Sequence, residues 1–211
     1  MSNNSFLQGF DIMRRLFAMF ALILSCGSAA AGEYHGFHID DAAGALAPAA
    51  QASLTAQLDI VEAAGLPPAV LEVMKQTPIV VDPALRGNPG IFAVRGPGGA
   101  VYVQPIVFDT NKPILLHELL HAYQFRVLGL DRPEIVQTFR QVKDSSLFPP
   151  RFQSSHFLEN GKEFFAVTGT LFLFGDIQQP PFSCAALGKL PSDYLAFLAA
   201  QFGPHSCRTA G

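Results

Sequence analysis

Apolar positions crowd the middle of the chain. From Ile114 to Leu128 nearly every residue is apolar, a pattern that predicts a helix buried on all sides rather than on one stripe. Asp109, Thr110 and Asn111 are competent N-caps, Pro113 suits a first helical turn, and Gly129 suits the position just past the end. Upstream, Leu46 to Ala64 reads as a helix bounded by Pro48 and Gly65, and Pro67-Pro68 opens a shorter one that runs to Lys75 before Pro78. Ile79-Val80-Val81 is a β-branched run and predicts a strand. Gly90 to Arg95 and Ala100 to Gln104 flank Gly96-Pro97-Gly98-Gly99 and predict a hairpin. At a sheet edge, such a hairpin either is purely structural or takes an extended peptide by strand addition.

Downstream, Glu134 to Lys143 predicts a helix with Asp131 as its cap and Pro133 at its first position. Ser145 to Ser155 lacks periodicity and reads as a loop. An apolar helix follows from Asn160 to Phe174, and Pro191 to Phe202 predicts a last, amphipathic helix. Glu33 to Asp41, polar and carrying His35 and His38, reads as an extended lead-in whose histidines are solvated or bind metal adventitiously. The expected fold class is α+β: a small, mostly antiparallel sheet packed on the central helix, otherwise mainly helical.

The first thirty residues stand apart from this pattern. Arg14-Arg15, the apolar run Leu16 to Leu24 and the small residues Ser28 to Ala31 have the three-part form of a secretory signal. The expected organisation is therefore a signal peptide over 1–31 and one domain over 32–211, secreted or periplasmic, with no membrane attachment after signal removal. The rivals are a short N-terminal anchor and lipidation at Cys26, whose preceding residues fit a lipoprotein site poorly. In an exported chain the remaining pair, Cys184 and Cys207, reads as a disulfide, worth about 3 kcal/mol for a loop of roughly twenty residues. The net charge of −3 gives no sign of a nucleic-acid partner.

The central helix carries chemistry as well as bulk. His117-Glu118-Leu119-Leu120-His121 places two imidazoles four residues apart, on one helical face and about one turn from each other. Both can bind one Zn²⁺, and Glu118 beside them can act as the base that takes a proton from water. The plainer reading is a core helix with two satisfied histidines. A catalytic zinc takes three protein ligands. The candidates for the third are Glu134, His156, Glu159, Glu163, Asp176 and His205, and Glu163 is favoured because an acid at the start of an apolar helix needs a partner.

The pair of motifs His117-Glu118-Leu119-Leu120-His121 and Asn160-Gly161-Lys162-Glu163-Phe164-Phe165-Ala166 resembles the gluzincin metallopeptidases. The nearest likeness is to the branch of the anthrax lethal factor catalytic domain and the Mlc titration factor A peptidases, over residues 113–125 and about 156–174. The resemblance implies a minimal zincin-like domain with one Zn²⁺ on His117, His121 and Glu163, and Glu118 as catalytic base. Where that branch commonly has a Tyr that stabilises the oxyanion, this chain has His156. A donor imidazole there can do the same work; an ordinary loop histidine and a fourth, inhibitory ligand are the alternatives. The expected function is a secreted zinc-dependent peptidase acting on a peptide or protein substrate. The rival is an exported zinc-binding structural or binding module without turnover. Residues 33–64 are a possible inhibitory cover of the cleft.

Overall fold

The computed structural model describes residues 30–204. The expected signal segment, Cys26, His205 and the Cys207 half of the expected disulfide therefore lie outside the described residues, apart from the two residues at the signal's end. Five strands form one sheet in the order β1-β2-β3-β5-β4, and seven α-helices accompany it among the described residues. No described helix is long and apolar enough to cross a membrane.

The amino-terminal stretch is built into the sheet. β1 (Ala30–Tyr34) and β2 (Phe37–Asp41) form an antiparallel hairpin whose two-residue turn, His35-Gly36, has both φ angles positive, as a turn matched to strand twist requires. Phe37, Ile39 and Asp41 face inward and the residues between them face out. The lead-in expected over Glu33 to Asp41 is thus a pair of strands. Nor do residues 33–64 cover the cleft described below. Their second half is α1 (Pro48–Ala63), which sends Leu54, Leu58 and Val61 into the core.

The sheet is mixed rather than mostly antiparallel. After α1 and α2 (Pro68–Lys75) the chain returns as β3 (Ile79–Val81), parallel to β2. The predicted hairpin follows, β4 (Gly90–Ala93) and β5 (Ala100–Val103), with β5 inserted parallel to β3 and β4 left at the edge. A crossover through two helices permits parallel pairing, which a two-residue turn cannot.

α3 (Ile114–Tyr123) is the buried centre. It lies against β4, β5, α1 and α2 on one side and α5 (Gly161–Phe174) on the other. Gly169 of α5 sits so near Leu120 that an added Cβ would stand 3.1 Å from its Cδ1, and Ala166 is fully buried. Small residues thus let the two helices approach closely. None of the three expected caps serves α3. Pro113 occupies the N-cap position, and the buried Gln57 of α1 satisfies the helix start instead. Its Nε2 donates to the Asp109 and Lys112 carbonyls at 3.3 and 3.0 Å, and its Oε1 accepts from the Leu115 amide at 3.3 Å. The α-helix ends at Tyr123, earlier than expected, and continues as a π-helical turn over Gln124–Leu128 before Gly129 (φ 84°).

Beyond it, α4 (Pro133–Asp144) has Arg132 rather than Asp131 at its N-cap, and the expected loop contains a 3₁₀ turn, Pro150–Phe152. α5 begins as expected, with Asn160 Oδ1 accepting from the amides of Lys162 and Glu163 at 2.9 and 3.1 Å. A short helix α6 (Cys184–Leu187), not anticipated, precedes α7 (Ser192–Phe202), which packs Tyr194, Leu198 and Phe202 into the core.

Candidate metal centre

Three side chains from two helices converge where α3 and α5 meet. His117 and His121 project from α3, and Glu163 comes from the first turn of α5, where the Asn160 cap fixes its backbone. The two Nε2 atoms are 3.2 Å apart, and they lie 3.3 Å (His117) and 3.1 Å (His121) from Glu163 Oε2. Among the described residues these three form the one group of His, Cys, Asp or Glu ligand atoms mutually close enough to share an ion. Protons alone do not account for the triangle. With both Nε2 atoms protonated the two donors face each other at 3.2 Å, and with one deprotonated its lone pair faces the carboxylate oxygen, so in either tautomer one edge is repulsive. Around a tetrahedral ion with bonds of 2.0–2.1 Å, ligand atoms stand about 3.3–3.4 Å apart, close to all three observed edges.

The other expected site residues take distinct places. Glu118, buried, lines the same cleft as His117 and Glu163, and its Oε2 accepts the Phe92 amide of β4 at 2.7 Å. Burial raises its pKa, against the nearby His117 and the Phe92 hydrogen bond. His156 opens a 3₁₀ turn (His156–Leu158) just before α5 and is partly exposed. Its Nε2 lies 2.8 Å from Glu163 Oε2 and its Nδ1 2.9 Å from Glu159 Oε2. The hydrogen bond to Glu163 is the main reason its pKa is pushed up to about 9, against the effect of burial. For Glu163, burial on its own raises the pKa, but hydrogen bonds from His117, His121 and His156 outweigh it and hold the carboxyl ionised. The site therefore carries one ionised acid surrounded by three imidazoles.

The remaining third-ligand candidates within the described residues are elsewhere. Glu134 pairs with Arg132 at 2.8 Å, Asp176 accepts the Cys184 amide at 3.0 Å, and Glu159 reaches only His156. A cleft of about 660 Å³ opens over the triangle. Gly90 and Ile91 of the edge strand form one wall; His156 and Glu163 lie opposite, with Val167 and Thr170 continuing along α5. Sequence reasoning missed the Phe92 amide, which carries no side-chain signal, and Gly90, whose added Cβ would lie 2.9 Å from Ile114 Cγ2 and 3.4 Å from Glu118 Cγ. Comparison with protein-family models, curated proteins and solved structures found no match to this chain.

Proposed function

We propose that the chain is an exported, gluzincin-type zinc peptidase with one Zn²⁺ on His117, His121 and Glu163. The observation that carries this reading is the triangle of ligand atoms with edges of 3.1–3.3 Å, two of whose residues, His117 and Glu163, line a cleft. Zinc held there would supply Lewis acidity, polarising a carbonyl and lowering the pKa of water toward neutrality. Glu118 takes the proton of the attacking water and passes it to the leaving amine. The Phe92 amide holds one Glu118 carboxylate oxygen in place at the cleft. His156, at the cleft wall, is placed to donate a hydrogen bond to negative charge on the former carbonyl oxygen.

The substrate lies along β4. In the β4–β5 register, Ile91 faces Tyr102 and Phe92 faces Val101. Because the Phe92 amide turns to Glu118 rather than to β5, the polar groups of Gly90 and Phe92 point outward, away from the ladder. An extended peptide can pair with what remains of that edge. The rival reading, a zinc-binding module without turnover, expects four protein ligands and a closed site. The deciding experiment is Glu118→Gln, with zinc content and cleavage of a peptide library measured side by side. The variant should keep one zinc per chain and lose cleavage by about 10²–10⁴-fold. Equal cleavage by variant and wild type removes Glu118 as the base, and a zinc-loaded wild type that cleaves nothing favours the module.

A further inference from the structure

The helix that carries both histidines is fastened to the β4–β5 hairpin at two points. One is the Phe92 amide on Glu118. The other is Arg126, whose Nε donates to the Gly98 carbonyl at 2.8 Å and whose Nη2 donates to the Gly99 carbonyl at 3.2 Å. Its Nη1 donates to the Gln76 carbonyl at 3.2 Å, just past α2. Between the two fastenings the Phe125 ring rests on the Phe92 ring, centroids 5.8 Å apart. Gly99 presses on the same ring, so that a Cβ there would lie 2.6 Å from Phe92 Cζ.

The π-helical turn explains how one helix reaches both points. In a regular α-helix each residue advances about 100°, so Arg126 would point about 80° away from Glu118. Over Gln124–Leu128 the hydrogen bonds span five residues, as with the Gly129 amide on the Gln124 carbonyl at 2.8 Å. That wider turn advances each residue by less and swings Arg126 back toward the side of the helix that faces the sheet. Widened turns of this kind are frequent at functional sites.

We propose that Arg126 is a positioning residue: by gripping the carbonyls of the hairpin turn, it sets the height and angle at which β4 presents its edge to a substrate beside Glu118. This rests on the proposed reading of β4 as the substrate-bearing edge. The guanidinium suits the task because its fork serves several carbonyls at once, which a lysine ammonium does with poorer geometry. The three metal-binding side chains lie outside the hairpin, so the grip acts on substrate placement and leaves zinc loading alone.

The test uses the zinc-loaded protein and its Arg126→Ala and Arg126→Lys variants. It measures zinc content, kcat and KM on a quenched-fluorescence peptide pool, and hydrogen exchange of the Phe92 amide. Arg126→Ala should keep one zinc per chain, raise KM about tenfold with kcat within about twofold, and speed Phe92 exchange about tenfold. Arg126→Lys should fall between the two. A folded, zinc-loaded Arg126→Ala protein with wild-type KM or wild-type Phe92 exchange overturns the proposal. A loss confined to kcat or to the active fraction, as general destabilisation would produce, overturns it equally. If the alanine variant does not fold, the lysine variant decides on the same readouts. A wild-type protein that loads zinc and cleaves nothing removes the proposed function; Phe92 exchange then decides the grip by itself.

Discussion

His121 Nε2 and Glu163 Oε2 meet at 3.1 Å although 42 residues separate them in the chain. The contact is possible because α3 and α5 pack closely at Leu120 and Gly169, and because the Asn160 cap starts α5 with Glu163 in its first turn. A partly buried acid among three imidazoles is costly unless it stays charged and partnered. The same arrangement is what a divalent ion requires.

Zinc should therefore stabilise the folded chain measurably. Ligand at one hundred times its Kd adds about 2.7 kcal/mol, which for a domain of this size raises the melting temperature by roughly 5–10 °C. Chelation should reverse the rise. His117→Ala, His121→Ala and Glu163→Ala should each abolish it and lower the bound zinc well below one per chain, measured by elemental analysis. A melting temperature indifferent to both zinc and chelator counts against the site.

Gln57 tests the start of α3. Its amide is 2 % exposed and serves two carbonyls and the Leu115 amide at once. Gln57→Leu keeps the bulk and strands those groups, so it should cost about 2–4 kcal/mol in chemical unfolding. A cost below about 0.5 kcal/mol would mean that the capping contacts contribute nothing to the fold.

That helix start also shows where sequence reasoning reached its limit. The apolar runs at 114–128 and 160–174 make α3 and α5 legible, and with them the residues that come together. The acceptor for the Leu115 amide in the first turn of α3 is Gln57, 58 residues earlier, and no local pattern announces so distant a partner. The β1–β2 hairpin was hidden because Glu33, His35, His38 and Asp40 make its outer face polar, leaving only Phe37 and Ile39 to mark the inner one. Parallel pairing of a three-residue β3 is set by the path of α1 and α2, which periodicity does not encode. The π turn likewise depends on where Arg126 finds carbonyls, a tertiary matter.

Two glycines on opposite sides of α3 should respond differently to alanine. At Gly90 the new Cβ would meet Ile114 Cγ2 at 2.9 Å, a branched methyl with little room to retreat, so strand and helix must separate. Gly90→Ala should cost about 1–3 kcal/mol and weaken the seat of Glu118. At Gly169 the obstacle is the end of the Leu120 side chain at 3.1 Å, which can rotate. Alanine there also gains about 1 kcal/mol of helix propensity, so Gly169→Ala should be near neutral. Thermal melting of both variants checks the contrast, and equal destabilisation would show that α5 is packed as tightly as β4.

The approach to His156 offers a graded test of its role. Lys143 of α4 donates from Nζ to the Gln153 carbonyl at 2.6 Å and to the Leu158 carbonyl at 2.8 Å, bracketing the turn that carries His156. If His156 offsets charge in the reaction, His156→Phe should retain zinc and lower kcat by about 10²-fold, the usual size for a lost oxyanion donor. His156→Tyr, which restores a donor, should stay within about tenfold of wild type. Lys143→Met keeps the aliphatic stem but frees the turn, so it should fall in the same direction by a smaller factor, again with zinc bound. Turnover by His156→Phe at the wild-type rate would leave His156 only its contacts with Glu159 and Glu163, as a support for the ligand carboxylate.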